Sequence, residues 1–322
     1  MTTFTTKTTS DVSGSEEVVG KVEVARVTFK DLSTITLDDI DKGLRLKGYI
    51  PDRDIVLAVY LALKLGKPLL VEGEPGCGKT ELAKALAELL ETDLIRLQCY
   101  EGIEASQAIY DWNYPKQLIA IRLLEKSAGV DDIEKEIYSE KYMIKGPLLK
   151  AVLHEGPKPP VLLIDEIDRA DEEFEAFLLE FLSEFQVTVP ELGTFKAKVK
   201  PIVVLTSNRT RDIGDGLRRR CIYLYITYPD RRREVEIVLS KVKSARRELV
   251  EKAVDVVNNI RSQKDILKKP GISETIEWVR ALTELGYNEI TYQALRDTIT
   301  LLVKVKNDLD RLDLRKLLGV EA

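Results

Sequence analysis

Residues 73–80 read Gly-Glu-Pro-Gly-Cys-Gly-Lys-Thr, which is the full Gly-x4-Gly-Lys-Thr spacing of a phosphate-binding loop. The glycines Gly73, Gly76 and Gly78 let successive backbone N–H groups turn toward one anion, with Glu74, Pro75 and Cys77 filling the positions between them. Lys79 is expected to reach the β- and γ-phosphates of a nucleotide, and the Thr80 hydroxyl to ligate Mg2+. Glu81 follows as the first acidic residue of the helix that the loop opens. A second group lies at Val161–Asp168, where the run Val-Leu-Leu-Ile delivers Asp165 and Glu166 at the end of a strand. There Asp165 would hold the Mg2+ shell, and Glu166 would orient and activate a water for attack on the γ-phosphate. On its own, an acidic pair after a strand is most often a helix cap; its weight here comes from the complete loop upstream. Asn208 ends the run Ile-Val-Val-Leu-Thr-Ser and is placed to hold the same water. Arg218, Arg219 and Arg220 come together just before another apolar run. Residues on one helix point about 100° apart, so at most one or two of these arginines share a target.

Short apolar runs must position these groups: 68–72, 94–98, 161–165, 202–206 and 222–226. Each has about the length of a strand buried on both faces of a parallel sheet, and amphipathic helical stretches separate them. The fold class is therefore α/β: a five-stranded parallel sheet flanked by helices around a phosphate loop. After Tyr228-Pro229-Asp230 the strand-like runs stop and helical patterns continue, giving a helical lid domain. The expected division is a flexible arm over 1–35, an α/β core over 36–228 and the lid over 229–322. A short strand, Lys-Val-Glu-Val-Ala-Arg-Val-Thr-Phe, is expected to end the arm.

Composition narrows the alternatives. The 322 residues carry a net charge of −5, so no overall basic field gathers nucleic acid or acidic lipid. The longest apolar run, 55–63, is too short to span a bilayer. Three separated cysteines suit a reducing, cytoplasmic setting, and a single histidine, His154, speaks against His-based triads and multi-His metal sites.

A phosphate loop, an acidic pair on a strand, a polar strand end and a late arginine, followed by a helical lid, resemble an AAA+ ATPase. The stretches KGPLLKAVL, DEIDRADEEFEAFLLEFLSEFQVTV and TSNRTRDIGDGLRRR look like the MoxR branch. LQCYEGIEASQAIYDWNYPKQL is similar to CoxD-like accessory ATPases of carbon monoxide dehydrogenase maturation. The resemblance implies ATP and Mg2+ as cofactors, and a ring of self, usually hexameric, with ATP between subunits. Lys79 and Thr80 then match the Walker A residues, Asp165 and Glu166 the Walker B pair, and Asn208 the sensor. Arg220 is the first match to the finger reaching a neighbour's γ-phosphate, and Arg219 the second. The implied work is chaperone-like remodelling of a client metalloenzyme, such as a molybdenum-containing oxidoreductase, beside a von Willebrand factor A-domain partner. One departure stands out. The family's second sensor arginine is replaced by Glu274 and Thr275, with Arg280 more than a turn later. The charged helical stretch between Tyr110 and Tyr142 is a candidate client surface.

Readings from other classes remain. Arg219-Arg220-Cys221 resembles the finger of clamp loaders, which keeps a nucleic-acid motor as the alternative, although no basic strip interleaved with aromatics supports it. A nucleotide-gated scaffold without turnover conflicts with the intact Asp165–Glu166 pair. A GTPase lacks its Asn-Lys-x-Asp motif.

Overall fold

The structure is a computed structural model that describes residues 32–125 and 129–319. The expected strand in 21–29 lies outside these residues. The end of the expected arm does not hang free: Leu32–Thr34 form a 3₁₀ turn and Ile35 is buried in the core.

Two helices open the chain. Helix α1 (Leu37–Leu46) is capped by Thr36, whose side chain accepts from Asp39 N while the Asp39 carboxylate accepts from Thr36 N. Helix α2 (Arg53–Leu65) starts on Asp52, which accepts from Ile55 N at 2.9 Å, and stops at Gly66 in the left-handed conformation. Strand β1 (Leu69–Gly73) leads into the phosphate loop and helix α3 (Lys79–Leu90). Then come β2 (Leu94–Gln98), a short α4 (Ala105–Ile109) and an insertion. The insertion consists of β3 (Tyr110–Trp112), α5 (Tyr114–Leu124), α6 (Val130–Ile137) and β4 (Met143–Lys145), with β3 and β4 paired antiparallel. Helix α7 (Pro147–Val152) returns the chain to β5 (Val161–Asp165) and α8 (Glu172–Glu184). The hairpin β6 (Gln186–Val189)–β7 (Gly193–Lys196) precedes β8 (Ile202–Ser207), α9 (Asp215–Arg220) and β9 (Ile222–Ile226).

The five expected runs form one sheet in the order β2-β5-β8-β1-β9, every pair parallel. Side chains of β5 alternate between two cores: Leu162 and Ile164 join α7 and α8, while Val161 and Leu163 join the layer of α1, α2 and α3. Both faces are thus covered, which is why the central strands read as unbroken apolar runs. The outer strands depart from that expectation. β2 and β9 are edges and are only partly buried. In β2, Arg96 and Gln98 stand two residues apart, on one face by the period of a strand.

After Ile226 the described residues form only helices: α10 (Arg231–Lys241), α11 (Arg247–Ser262), α12 (Ile272–Glu284), α13 (Tyr292–Thr298), α14 (Lys306–Arg311) and α15 (Leu314–Leu317). They enclose their own core, around fully buried Trp278, whose Nε1 donates to Thr298 Oγ1 at 2.8 Å. Arg233 joins this region to the sheet domain by donating to Ile50 O at 2.9 Å and pairing with Asp52. Among the described residues no helix is long and apolar enough to cross a membrane.

Candidate nucleotide site

Parallel strands deliver their functional residues at one edge of a sheet, and the register here does so tightly. Gln98 sits opposite Asp165, and Glu72 opposite Ser207. The phosphate loop, Asp165–Glu166 and Asn208 therefore emerge side by side at the carboxyl ends of β1, β5 and β8.

The loop's conformation depends on its glycines. Gly73, Gly76 and Gly78 all have positive φ, and a Cβ on Gly73 would lie 2.1 Å from the Ile226 carbonyl oxygen. Lys79 is buried and donates to the Gly73 and Glu74 carbonyls, each at 2.8 Å, so its ammonium curls over the loop. Burial holds its pKa below the ordinary lysine value. Cys77 is also buried, and burial raises its thiol pKa, which makes it an inert packing residue rather than a thiolate. Cys99 and Cys221 are pushed up to about 12 for the same reason.

The Thr80 hydroxyl donates to Asp165 Oδ1 at 3.0 Å, and the Thr206 hydroxyl donates to the same oxygen at 2.5 Å. Asp165 Oδ2 receives Arg96 Nε at 3.0 Å and Nη2 at 2.6 Å. A hydroxyl facing a buried carboxylate at the mouth of a phosphate loop is a set of hard oxygens that fits Mg2+, which takes one or two protein ligands beside phosphate and water. Glu166 adopts a left-handed conformation with φ of 57°, which turns its side chain out of the strand. Its Oε2 accepts from Gln98 Nε2 at 3.0 Å and pairs with Arg169 Nε at 2.9 Å, and its Oε1 accepts from Asn208 Nδ2 at 3.3 Å. Buried Asp168 pins the Asn208 loop by accepting from Asn208 N at 3.2 Å and Thr210 N at 2.9 Å.

The three arginines separate. Arg218 donates to Glu72 Oε1 at 2.8 Å, and Tyr223 OH donates to Glu72 Oε2 at 2.9 Å, so Arg218 neutralises a buried carboxylate of its own sheet. Arg220 donates to the Leu179 carbonyl at 2.7 Å and to Ser183 Oγ, both on α8. Arg219 is 83% exposed, with Asp215 at 3.9 Å as the ion-pair partner among the described residues. None of the three reaches the Lys79–Asp165 cluster in its own chain through a described hydrogen bond or ion pair.

The helical region closes the other side. Ile272 N donates to the Gly76 carbonyl at 2.9 Å, and a Cβ on Gly271 would lie 2.8 Å from Gly76 Cα. Only glycine at both positions allows this backbone contact. Between loop and α12 lies a cavity of about 300 Å³ whose lining includes Tyr49, Gly78, Ile237, Ile272, Ile276 and Arg280. Glu81, in the first turn of α3, reaches Lys241 of α10 at 3.2 Å at the same boundary. Glu274 caps its own helix, accepting from Gly271 N at 3.0 Å, while Arg280 is the α12 arginine that faces the cavity.

The sequence pattern did not single out Arg96, Gln98, Arg169, Asp168 or Tyr49. The signal for the first two was present, since Arg96 and Gln98 interrupt an apolar run with two polar residues on one face.

Residues 68–221 match the family described as AAA domain (dynein-related subfamily). An uncharacterized protein of Staphylococcus aureus (strain USA300) is 25% identical over 228 residues, 69% of this chain and 77% of the relative. The gas vesicle ATPase GvpN of Haloferax mediterranei is 27% identical over 218 residues, 63% of this chain and 59% of the relative. Among solved structures, the Thermotoga maritima RuvB Holliday junction branch migration motor matches with a TM-score of 0.46 and 17% identity, over 84% of this chain and 80% of that chain. That overlap has no bearing on what this chain acts upon. The sheet order and the phosphate loop agree with the family match: residues 68–221 are similar to an AAA domain, and the protein is an ATPase.

Proposed function

We propose that this chain hydrolyses ATP with Mg2+ in a ring of like subunits, and that it uses the cycle as a MoxR-type chaperone on a client protein. The observation that carries the ATP half is the convergence of Lys79, Thr80, Asp165, Glu166 and Asn208 at one sheet edge. Lys79 would release the two carbonyls it now holds and bind phosphate oxygens instead. Thr80 and Asp165 would hold Mg2+, which supplies positive charge against the phosphates. Glu166, steadied by Asn208, would take a proton from the attacking water.

The ring half rests on what one chain lacks. Arg96 and Arg169 are tied to Asp165 and Glu166, so a finger for the γ-phosphate would come from a neighbour, and of Arg218, Arg219 and Arg220 the least engaged is Arg219. Arg218 and Arg220 are engaged within their own chain, so Arg219 ranks ahead of Arg220 as the finger. Similarity to the gas vesicle ATPase GvpN supports a MoxR-like chaperone role. We assign the client to the class of metalloenzymes, with a von Willebrand factor A-domain protein as companion, on the sequence resemblance. The insertion presents an apolar face for such a contact, with Tyr114, Leu118, Ile119 and Leu123 of α5 all exposed.

The test is affinity capture of the Glu166→Gln protein, loaded with ATP, from its native host. The expected catch is an adhesion-domain protein or an oxidoreductase subunit, lost when ADP replaces ATP. Capture of nucleic acid alone would overturn the chaperone reading in favour of a motor.

A further inference from the structure

Asp165 is 2% exposed and carries four hydrogen bonds, but only one of its partners brings charge. That partner is Arg96, which lies on the edge strand β2, is 51% exposed and grips Oδ2 through two nitrogens. Its Nη2 also donates to Gln98 Oε1, and the Gln98 amide in turn donates to Glu166 Oε2 at 3.0 Å. One guanidinium thus touches the expected metal ligand directly and the expected base through a single side chain.

We infer that Arg96 is a counter-ion held in place of the metal: it neutralises Asp165 while the site is free of nucleotide and gives the carboxylate up when Mg2+ and nucleotide bind. Three features support exchange over joint occupancy. A carboxylate this deeply buried needs a compensating charge in every state. Arg96 is half in water, so its release costs little. Mg2+ beside Asp165 would be a second cation next to the same guanidinium, and the two repel. Arg96 acts as a positioning residue throughout. When it withdraws, Gln98 Oε1 loses that donor, while Gln98 Nε2, Arg169 and Asn208 still hold Glu166.

This inference rests on the Mg2+–nucleotide reading of the site, and the test separates the two. Binding of a fluorescent ADP analogue is titrated with Mg2+ in the whole protein, with no turnover involved. Arg96→Ala is expected to lower the half-saturating Mg2+ concentration about fivefold, the order of one half-exposed charge-assisted pair. Arg96→Lys, which keeps the charge and loses the fork, should shift it in the same direction by less. Thermal melts add a second readout: Arg96→Ala should melt earlier without ligand, and Mg2+ with ADP should raise its midpoint by more than in the wild type. An unchanged or higher Mg2+ requirement in both variants overturns the exchange and makes Arg96 a fixed support of Asp165. Equal loss of melting temperature with and without ligand does the same. A lysine variant identical to wild type beside a shifted alanine variant reduces the effect to a general field and also overturns it. Failure of the wild type to bind the analogue removes the underlying reading itself.

Discussion

Two arginine–carboxylate pairs of the same chemistry sit in opposite surroundings. At the sheet edge, Arg96 (51% exposed) meets Asp165 at 2.6 Å; in the helical region, Arg261 (7% exposed) meets Glu234 (0% exposed), also at 2.6 Å. The second pair is complete in itself. Arg261 places two nitrogens on Glu234 and its Nε on the Pro270 carbonyl at 2.8 Å, and its plane lies 4.4 Å from the Tyr228 ring centroid; Thr275 Oγ1 adds a bond to Glu234 at 2.8 Å. No group in it is left for a ligand. The first pair has an exit to water on one side. Burial thus decides which pair is scaffold and which can be exchanged, and substitutions should divide accordingly: those at the sheet edge change rate and binding, and those in the helical cluster change stability.

The largest effects test the sheet edge. Arg219→Ala is expected to slow ATP turnover by about 10³–10⁵-fold, the range measured for arginine fingers. Glu166→Gln should slow it by about 10²–10⁴-fold while still binding ATP, whereas Lys79→Ala should lose the binding itself. Melting midpoints should stay close to wild type for Arg219→Ala, whose side chain is solvated. Mixing Glu166→Gln subunits with Arg219→Ala subunits should recover part of the turnover, because some interfaces then pair an intact base with an intact finger. Steady-state phosphate release measures all of these. Equal loss of binding in the Lys79 and Glu166 variants would dissolve the division of roles between them, and mixed rings that assemble without recovery would return Arg219 to the surface.

Next in size comes the helical cluster. Arg261→Met leaves Glu234 charged and buried, and should cost about 3–5 kcal/mol, read from urea unfolding midpoints. Replacing both partners, as Arg261→Met with Glu234→Leu, should recover most of that loss. A single variant as stable as wild type would show that this pair is as exchangeable as Arg96–Asp165, and the contrast between the two regions would fail. Because Arg261 also holds Pro270, next to the Gly271–Gly76 contact, the double variant should bind nucleotide less tightly even where stability has recovered.

How much of this was legible in the sequence follows the same physics. The phosphate loop and the five runs were readable because glycine spacing and buried strands leave local signatures that need no partner. Asp165, Glu166 and Asn208 were readable once the loop gave them a context, since each ends a run. Arg96 and Gln98 were not singled out, because their meaning depends on β2 lying beside β5, a pairing between segments 69 residues apart. We propose Arg219 ahead of Arg220 for a similar reason: strand adjacency favours Arg220, and only the packing of α9 against α8 shows that Leu179 and Ser183 hold it. The Gly76–Gly271 contact joins a phosphate-loop glycine to a distant one that no local pattern singles out, and Ile35, at the end of the expected arm, contributes to a core formed elsewhere.

Tyr49 gives the smallest effect and joins the two regions. It lies between α1 and α2, lines the cavity under α12 and is buried, and among the described residues its hydroxyl oxygen has no hydrogen-bond partner. Burial pushes the phenol pKa upward, so the group stays neutral. An unsatisfied buried hydroxyl costs about 1–3 kcal/mol, and Tyr49→Phe removes that cost while keeping the ring. The phenylalanine variant should therefore be about 1 kcal/mol more stable than wild type without ligand, by urea unfolding. With saturating ADP the gain should shrink if nucleotide entry gives the hydroxyl a partner, and persist if it does not. Loss of stability in the ligand-free variant would mean that water already satisfies Tyr49, and the cavity would then be wet before any nucleotide arrives.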